Sequence, residues 1–581
     1  MTVWGAAAAL AAVGVAAPPL PGAASLAAAA LLTGVTTVRL GGRSLADRAA
    51  ARLLLWARGR APGTSPSGPA AALRPLLPRL SVRRAEGRSR TRLGIVHDGR
   101  AWVSLVAVES GPGPGDGGGP RELPLRELGD LLHLDDICYD SVQLLVHSVG
   151  APDGPDGAGE LCAGAYRQLN TGSAPVLRQI WVAVRLDEAG CAAAIAARGG
   201  GEPGIRRVLR RGVLAAVAVL ADAGWRARVL DEEEAAGALA EAAGAPPGPG
   251  GATGPAAAES WSEWRAHGTG HVTHRVRKWP RETGLTGLPE LLAALPARAT
   301  ALSVTFTTTR ECAVAVRTAG AAREAGDGLP SAARALGTPL ARLDGEHAAG
   351  LLATVPLGLS PGRGADRGRA PAVLPLAAGG VVLGTDRDGV PVPVPLIRRE
   401  PLRLGVLLER ERAALVVFRL LAAGALVHVR SPRPQVWAGL LRACGAGRDR
   451  LDIGLPGGAT PPPGSPLRPV VVVDEFTGGG GAPRPDLGAW QLGVGLHRQP
   501  PGGDTEALRR YDAVLAPRVA LPTARRLTEA YGLPGEALRT LPVLPGDASA
   551  LLLPGELRTL WIRPVPAEEA LLTAPVPPSH G

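Results

Sequence analysis

VVVVDEF, residues 470–476, is an unbroken run of β-branched apolar residues that ends in two carboxylates and a phenylalanine. A strand apolar at every position is buried on both faces, the habit of a parallel sheet covered by helices. The surrounding sequence repeats the pattern. Short apolar runs at Leu402–Leu408, Ala425–Val429, Leu451–Leu455, Leu492–Leu496 and Ala513–Leu515 alternate with amphipathic stretches at Ala413–Ala423, Pro434–Cys444 and Thr523–Tyr531. This alternation predicts an α/β domain over residues 373–575.

Asp474 and Glu475 then stand at a strand end, where P-loop enzymes hold Mg²⁺ and orient water. That chemistry also requires G-x-x-x-x-G-K-[ST] between the first strand and its helix, because glycine-freed amides and a lysine grip the phosphates. Here the join reads Glu409-Arg410-Glu411-Arg412, and the only lysine of the chain is Lys278, far upstream. The expectation is a degenerate RecA-like domain, a P-loop-like parallel sheet lacking a Walker A motif, with Asp474 and Glu475 as polar ends of a buried strand. No catalytic, cofactor-binding or metal-ligating residue is assigned, and no cofactor is expected. Asp386-Arg387-Asp388 has the D-x-D spacing of metal-bound nucleotide-sugar sites, yet Asp388-Gly389 between two apolar runs reads as a hairpin turn. His271 and His274, near His267, would point to opposite faces of a strand. Trp261, Trp264 and Trp279 read as aromatic core around a hairpin.

Upstream, residues 93–360 predict an α+β domain. Its first half carries strands at Leu93–His97, Trp102–Glu109, Val142–Val149 and Val176–Leu186. A helix (Gly204–Ala223), a strand (Trp225–Leu230) and a helix (Asp231–Ala243) follow. Ala301–Thr308 and Cys312–Thr318 give strands in the second half, and residues 361–372 read as the linker to the α/β domain.

The N-terminus is of another kind. Two Ala-rich runs, Thr2–Ala17 and Ala23–Val38, flank Pro18-Pro19-Leu20-Pro21-Gly22. Between Arg39 and Arg92 stand 13 arginines against two acids, Asp47 and Glu86, a surplus equal to the formal +11 of the whole chain. Apolar runs enter hydrocarbon as helices, and arginine flanks stay on the cytoplasmic side. The pattern predicts a two-helix transmembrane hairpin over 1–40 and an Arg-rich juxtamembrane segment over 41–92. Arg39, Arg43, Arg48, Arg52, Trp56, Arg58 and Arg60 would lie on the membrane surface. The chain would be a multi-pass protein of the cell membrane with its main body in the cytoplasm. A secretory signal peptide fits less well, since no cation precedes the first run. The five scattered cysteines have no C-x-x-C spacing and suit reduced thiols.

Several stretches, LGIVHDGRAWVSLVAVE (93–109), RQIWVAVRLDEAGC (178–191), RRVLRRGVLAAVAVLADAGW (206–225), ESWSEWRAHGTGHVTHRVRKWP (259–280) and GGVVLGTDRDGVPVPV (379–394), resemble the EccE family of type VII (ESX-type) secretion systems of high-GC Gram-positive bacteria. The resemblance implies a structural, non-catalytic membrane subunit at the edge of a protein-export channel. Its partners would be EccB, the ATPase EccC and EccD, with an anionic lipid surface and no specific nucleic acid. The competing enzyme reading is a membrane-anchored nucleotide user, glycosyltransferase-like or a divergent NTPase, with Asp474 and Glu475 or Asp386 and Asp388 on the metal. A membrane-tethered nucleic-acid binder acting through Arg39–Arg92 rests on charge alone.

Overall fold

The structure, a computed structural model, describes residues 11–12, 15, 19–37, 39–40, 43–58, 73–85, 92–109, 120–152, 160–245, 257–279, 285–308, 311–320, 323–361, 367–435, 437, 450–454, 461–476, 486–497 and 505–573. Helix α1 (Pro19–Thr37) is followed by two paired dipeptides, β1 (Arg39–Leu40) and β2 (Arg43–Ser44), and by α2 (Leu45–Arg58). The expected transmembrane hairpin is overturned: among the described residues no helix is long and apolar enough to cross a membrane. Pro19, Pro21 and Gly22 form the first turn of α1, where proline's missing N–H costs nothing. Only Leu20, Leu26, Leu31, Leu32 and Val35 are large apolar residues in that helix; alanine, threonine and glycine fill most of the rest. The membrane-embedded subunit and the multi-pass placement at the cell membrane fall with the hairpin. The first apolar run, apart from residues 11, 12 and 15, lies outside the described residues, as does Arg60.

Residues 81–369 build one sheet of thirteen strands. In chain order these are β3 (Ser81–Ala85), β4 (Leu93–His97), β5 (Trp102–Val108), β9 (Ser141–Val149), β10 (Leu177–Leu186), β11 (Ala227–Val229), β12 (Ala258–Glu259), β13 (Trp264–Ala266), β14 (Thr269–Val276), β15 (Ala299–Phe306), β16 (Glu311–Ala319), β17 (Leu340–Arg342) and β18 (Gly368–Arg369). Three short strands lie outside it: β6 (Arg121–Pro124) and the ribbon β7 (His133–Leu134) and β8 (Ile137–Cys138). The spine reads β4-β5-β10-β9 from one end and β13-β14-β16-β15 from the other, meeting at an antiparallel β9–β15 ladder. The halves match in their helices too. α3 (Leu125–Asp130), α6 (Gly201–Asp222) and α7 (Glu232–Ala242) in the first take the chain positions of α8 (Leu288–Ala293), α9 (Arg323–Ala335) and α10 (His347–Ala353) in the second. β11 adds to β5 as β17 adds to β14. The first half also carries two further helices, α4 (Glu160–Leu169) and α5 (Ala192–Ala197). The central strands β9 and β15 are buried at every position, which fixes their register against slippage.

The second sheet has ten strands. β22 (Leu402–Val406), β23 (Leu426–Arg430), β24 (Leu451–Gly454), β25 (Val470–Phe476), β26 (Gln491–His497) and β27 (Ala513–Ala516) are parallel, in the order β27-β22-β26-β25-β23-β24. Antiparallel β28 (Ala548–Leu553), β29 (Glu556–Trp561), β20 (Val381–Thr385) and β21 (Pro391–Val394) extend it beyond β27. Helix α11 (Arg410–Ala422) follows β22, and α12 (Leu521–Tyr531) and α13 (Pro566–Thr573) come later in the chain.

The border between the two units is not where composition places it. β18 pairs with β16, and β19 (Val373–Leu376) pairs with β6, so the chain stays on the first unit past residue 372. Likewise, β3 and the buried Leu73 and Leu80 belong to the first unit, inside the segment read as juxtamembrane. In the other direction, α4 leaves the first sheet and enters the core of the second. Cys162, Ala165, Tyr166 and Leu169 pack in one apolar cluster with β22, α11 and β25. The Val382 N–H donates to the Tyr166 hydroxyl at 3.0 Å. Beside it, the fully buried Arg419 of α11 forks onto Glu568 of α13 (Nε–Oε1 2.9 Å, NH2–Oε2 2.6 Å) and donates to the carbonyls of Leu383 and Arg563.

Glu568→Ala would leave that guanidinium buried and unpaired, so it is expected to cost about 3–5 kcal/mol. Tyr166→Phe removes one hydrogen bond and should cost about 1 kcal/mol. Urea unfolding monitored by tryptophan fluorescence checks both, and equal small losses would mean that α4 and α13 are peripheral.

Candidate functional site at the carboxyl end of the parallel sheet

In open α/β sheets, ligands bind beyond the carboxyl ends of the strands, where neighbouring connections diverge. Here that point lies between β22 and β26, since β22 leads towards β23 on one side and β26 towards β27 on the other. The join from β22 to α11 has no glycine turn. The Leu407 N–H donates to the carbonyl of Leu515 at 2.8 Å, and Glu409 stands in solvent at the start of the helix. Gly405 and Gly495 form a parallel cross-strand pair, and a Cβ on either would strike the ring of Tyr511. Tyr511 therefore covers this pair, and its hydroxyl meets His497 Nε2 at 2.5 Å at the end of β26. Burial pushes the His497 imidazole down to about 4.

One strand over, the two carboxylates of VVVVDEF are already bonded. Asp474 pairs in register with Arg430, whose guanidinium forks onto it at 2.7 and 3.0 Å. Glu475 accepts from Ser431 Oγ at 2.5 Å and Trp437 Nε1 at 3.2 Å, with the Arg433 guanidinium against its other oxygen. The two differ in acidity. Burial raises the Asp474 pKa despite Arg430; at Glu475 burial also acts upward, but the bonds from Ser431, Trp437 and Arg433 outweigh it and hold the group low. Charge-assisted forks of this kind are strong, and a cation could reach either carboxylate only by displacing an arginine. Among the described residues no group of three or more His, Cys, Asp or Glu side chains is placed to hold a metal ion. Sequence reasoning missed Arg430, Arg433 and Tyr511. The signal available was S-P-R at 431–433 following a strand that ends in arginine.

A second polar centre joins the two units. Glu241 of α7 accepts from Arg399 at 2.9 Å and Trp490 Nε1 at 3.0 Å on one oxygen, and from Gln179 at 2.8 Å on the other. Gln179 in turn faces His147 Nδ1 at 3.2 Å. Burial raises the Glu241 pKa, and Arg399 opposes it. Further along the sheet, buried Arg317 donates to Thr354 Oγ1 (2.8 Å), meets His271 Nδ1 (2.9 Å) and reaches the carbonyls of Ala242 and Thr354. Those carbonyls are the terminal acceptors of α7 and α10, whose dipoles favour a cation there.

The remaining sequence candidates are dispersed. Arg39 and Arg43 fall on β1 and β2, and Arg48, Arg52, Trp56 and Arg58 on α2. Arg52 lies over the ring of Trp261 at 4.9 Å, and Ala51 is buried, so one side of α2 docks on the body. Leu53 and Trp56 are exposed at 66% and 63%. Asp386 accepts the N–H groups of Asp388 and Val390 at 2.9 Å and closes a turn at Gly389, leaving no D-x-D pocket. His267 occupies a positive-φ turn while His271 faces Arg317, so the histidines do not converge. Trp264 is core, and Trp279 donates to the carbonyl of Arg369.

Residues 174–276 match the family model of the type VII ESX secretion system translocon EccE. No curated protein matches the chain. The EccE-like stretch is well under half of the chain, running from just before β10 to the end of β14. It therefore carries Glu241, which bonds Arg399 and Trp490 of the second unit, and Gln179, which bonds Glu241.

Burial sets the pH behaviour. His147 and His497 are both held near 4 in the folded chain, and His271 also lies well below its ordinary value. The unfolded state binds these protons first, so their contribution to stability is complete above pH ~6.5 and falls as pH drops towards 4. Urea midpoints measured across that range should decline, and His497→Gln should flatten the slope. An unchanged slope would remove His497 from the account.

Proposed function

We propose that the chain is an EccE-type protein, serving as a non-catalytic binding scaffold for the type VII secretion machinery. What carries this reading is the EccE match over residues 174–276, a stretch whose Glu241 bonds Arg399 and Trp490 of the second unit. The proposed partners are the EccB, EccC and EccD components, with EccC as the ATPase. A scaffold needs a fixed relative placement of its surfaces more than a reactive centre. The shared α4 core and the Glu241 bonds supply such a placement. The carboxylates Asp474 and Glu475 are consumed by arginines, and the β22–α11 join lacks a phosphate-gripping turn. Both observations favour the scaffold over the nucleotide-using enzyme. The reading includes no membrane-spanning hairpin. The exposed Leu53 and Trp56 on α2 form a small apolar face in an arginine-rich helix, which we assign to peripheral contact with acidic headgroups.

Affinity purification of the tagged full chain, co-expressed with EccB, EccC and EccD, tests the assignment. Recovery of these components is expected, and Glu241→Ala should weaken it several-fold by loosening the two units. A chain that binds none of them, or that binds Mg-ATP or a nucleotide sugar in calorimetry and loses the signal in Asp474→Ala, would replace the scaffold with an enzyme.

A further inference from the structure

The short ribbon β7–β8 places His133 directly opposite Cys138, with the thiol 3.3 Å from Nδ1 of the imidazole. Both side chains are exposed. The ribbon is held in place by its turn, where Asp136 forks onto Arg198 (2.7 and 2.6 Å) and Asp135 pairs with Arg211 at 2.9 Å. A second thiol lies underneath: Cys191, the residue before α5, donates its S–H to the backbone carbonyl of Cys138. A carbonyl oxygen lies about 2.4 Å from its own Cα. That contact therefore brings the two cysteine Cα atoms close to the ~4.4–6.8 Å span of disulfides. Cys162 and Cys312 are buried. Cys138 is thus an exposed thiol with an adjacent base and an adjacent second thiol, the three parts of a peroxide-reactive site.

We propose that Cys138 and Cys191 form a thiol–disulfide switch, with Cys138 attacked first and Cys191 resolving it. His133 accepts the Cys138 proton. The thiolate attacks one oxygen of a peroxide, the O–O bond breaks, and the other oxygen leaves with a proton as water, giving a sulfenic acid at Cys138. The Cys191 sulfur then attacks Sγ of Cys138, the S–O bond breaks and a second water leaves. Two electrons pass from the two sulfurs to the peroxide, and both thiol protons end in water. Burial pushes the Cys191 thiol up. The bridge would clamp the ribbon to the start of α5, inside the EccE-like stretch, and would fix the Asp135–Arg211 and Asp136–Arg198 surface in one geometry. It stands independently of the secretion assignment.

Hydrogen peroxide treatment of the full chain, followed by non-reducing digestion and mass spectrometry, tests the switch. The expected product is a single Cys138–Cys191 linked peptide that thiol reductant removes. Cys191→Ser should instead leave a sulfenic acid on Cys138 that dimedone traps. His133→Asn should slow alkylation of Cys138 at neutral pH several-fold and shift its pH profile upward. A bridge to Cys162, Cys312 or Cys444, no bridge at all, or no trapped sulfenic acid in Cys191→Ser would overturn the proposal. An unaltered pH profile in His133→Asn would overturn the role of the imidazole.

Discussion

The two units depend on α4, a helix that belongs to one sheet by sequence and to the other by packing. Its inner face fills the space between α11 and α13, and Tyr166 is wholly enclosed there. Withdrawing it would open a cavity the size of several side chains, and cavities in close-packed interiors cost several kcal/mol. Arg419 and Glu568 sit at the same junction, so the last described helix is tied to the same core. Separation of the units would therefore expose the apolar core of the second one. The Glu241 bonds to Arg399 and Trp490 add polar ties at another point on the border.

The first sheet has its own internal logic. A strand order that reads alike from either end requires the central β9–β15 ladder to be compatible with both halves, and both strands are buried throughout. Polar groups cross this buried centre only where they are fully bonded. Gln143 donates to Ser303 Oγ and the carbonyl of Ala353, and it accepts from the Gly358 N–H. Arg185 and Arg317 stand on β10 and β16, strands in equivalent positions of the two halves, and both reach backbone carbonyls just past α10. Arg185 has Asp98 and Asp140 as counter-charges, whereas the bonds found for Arg317 are to neutral groups: helix-end carbonyls, a hydroxyl and an imidazole. Burial lowers its guanidinium to about 10, still far above neutrality. The cost of a buried cation is met there by oriented dipoles.

Much of the second sheet could be read from residue patterns because its strands are uninterrupted apolar runs; β25 covers VVVVDEF residue for residue. Strand β10 was readable from its alternation instead. Helix α4 was not, since its stripe of Cys162, Ala165, Tyr166 and Leu169 spans only two turns and is built partly of small residues. The pairing of 373–376 with 121–124 spans about 250 residues, and nothing local announces it. The N-terminal misreading has a physical origin as well. Alanine counts as apolar in any pattern, but its small surface gives little transfer energy, so a long alanine run imitates a membrane segment without its driving force.

The arginines over the strand ends show how the charge of such an edge can be balanced from within the chain. The carboxyl edge of a parallel sheet gathers acidic side chains beside strand termini, and in a nucleotide enzyme a metal and phosphates neutralise them. Here Arg430 and Arg433 neutralise Asp474 and Glu475 from the adjacent strand and the turn after it. Tyr511 covers the glycine pair that could otherwise admit a ligand over β22 and β26. Each is a local solution requiring no bound group, and each makes the edge stiffer than an empty site would be. The same residues brace the strand ends, and the strands they hold run into the core that α4 shares.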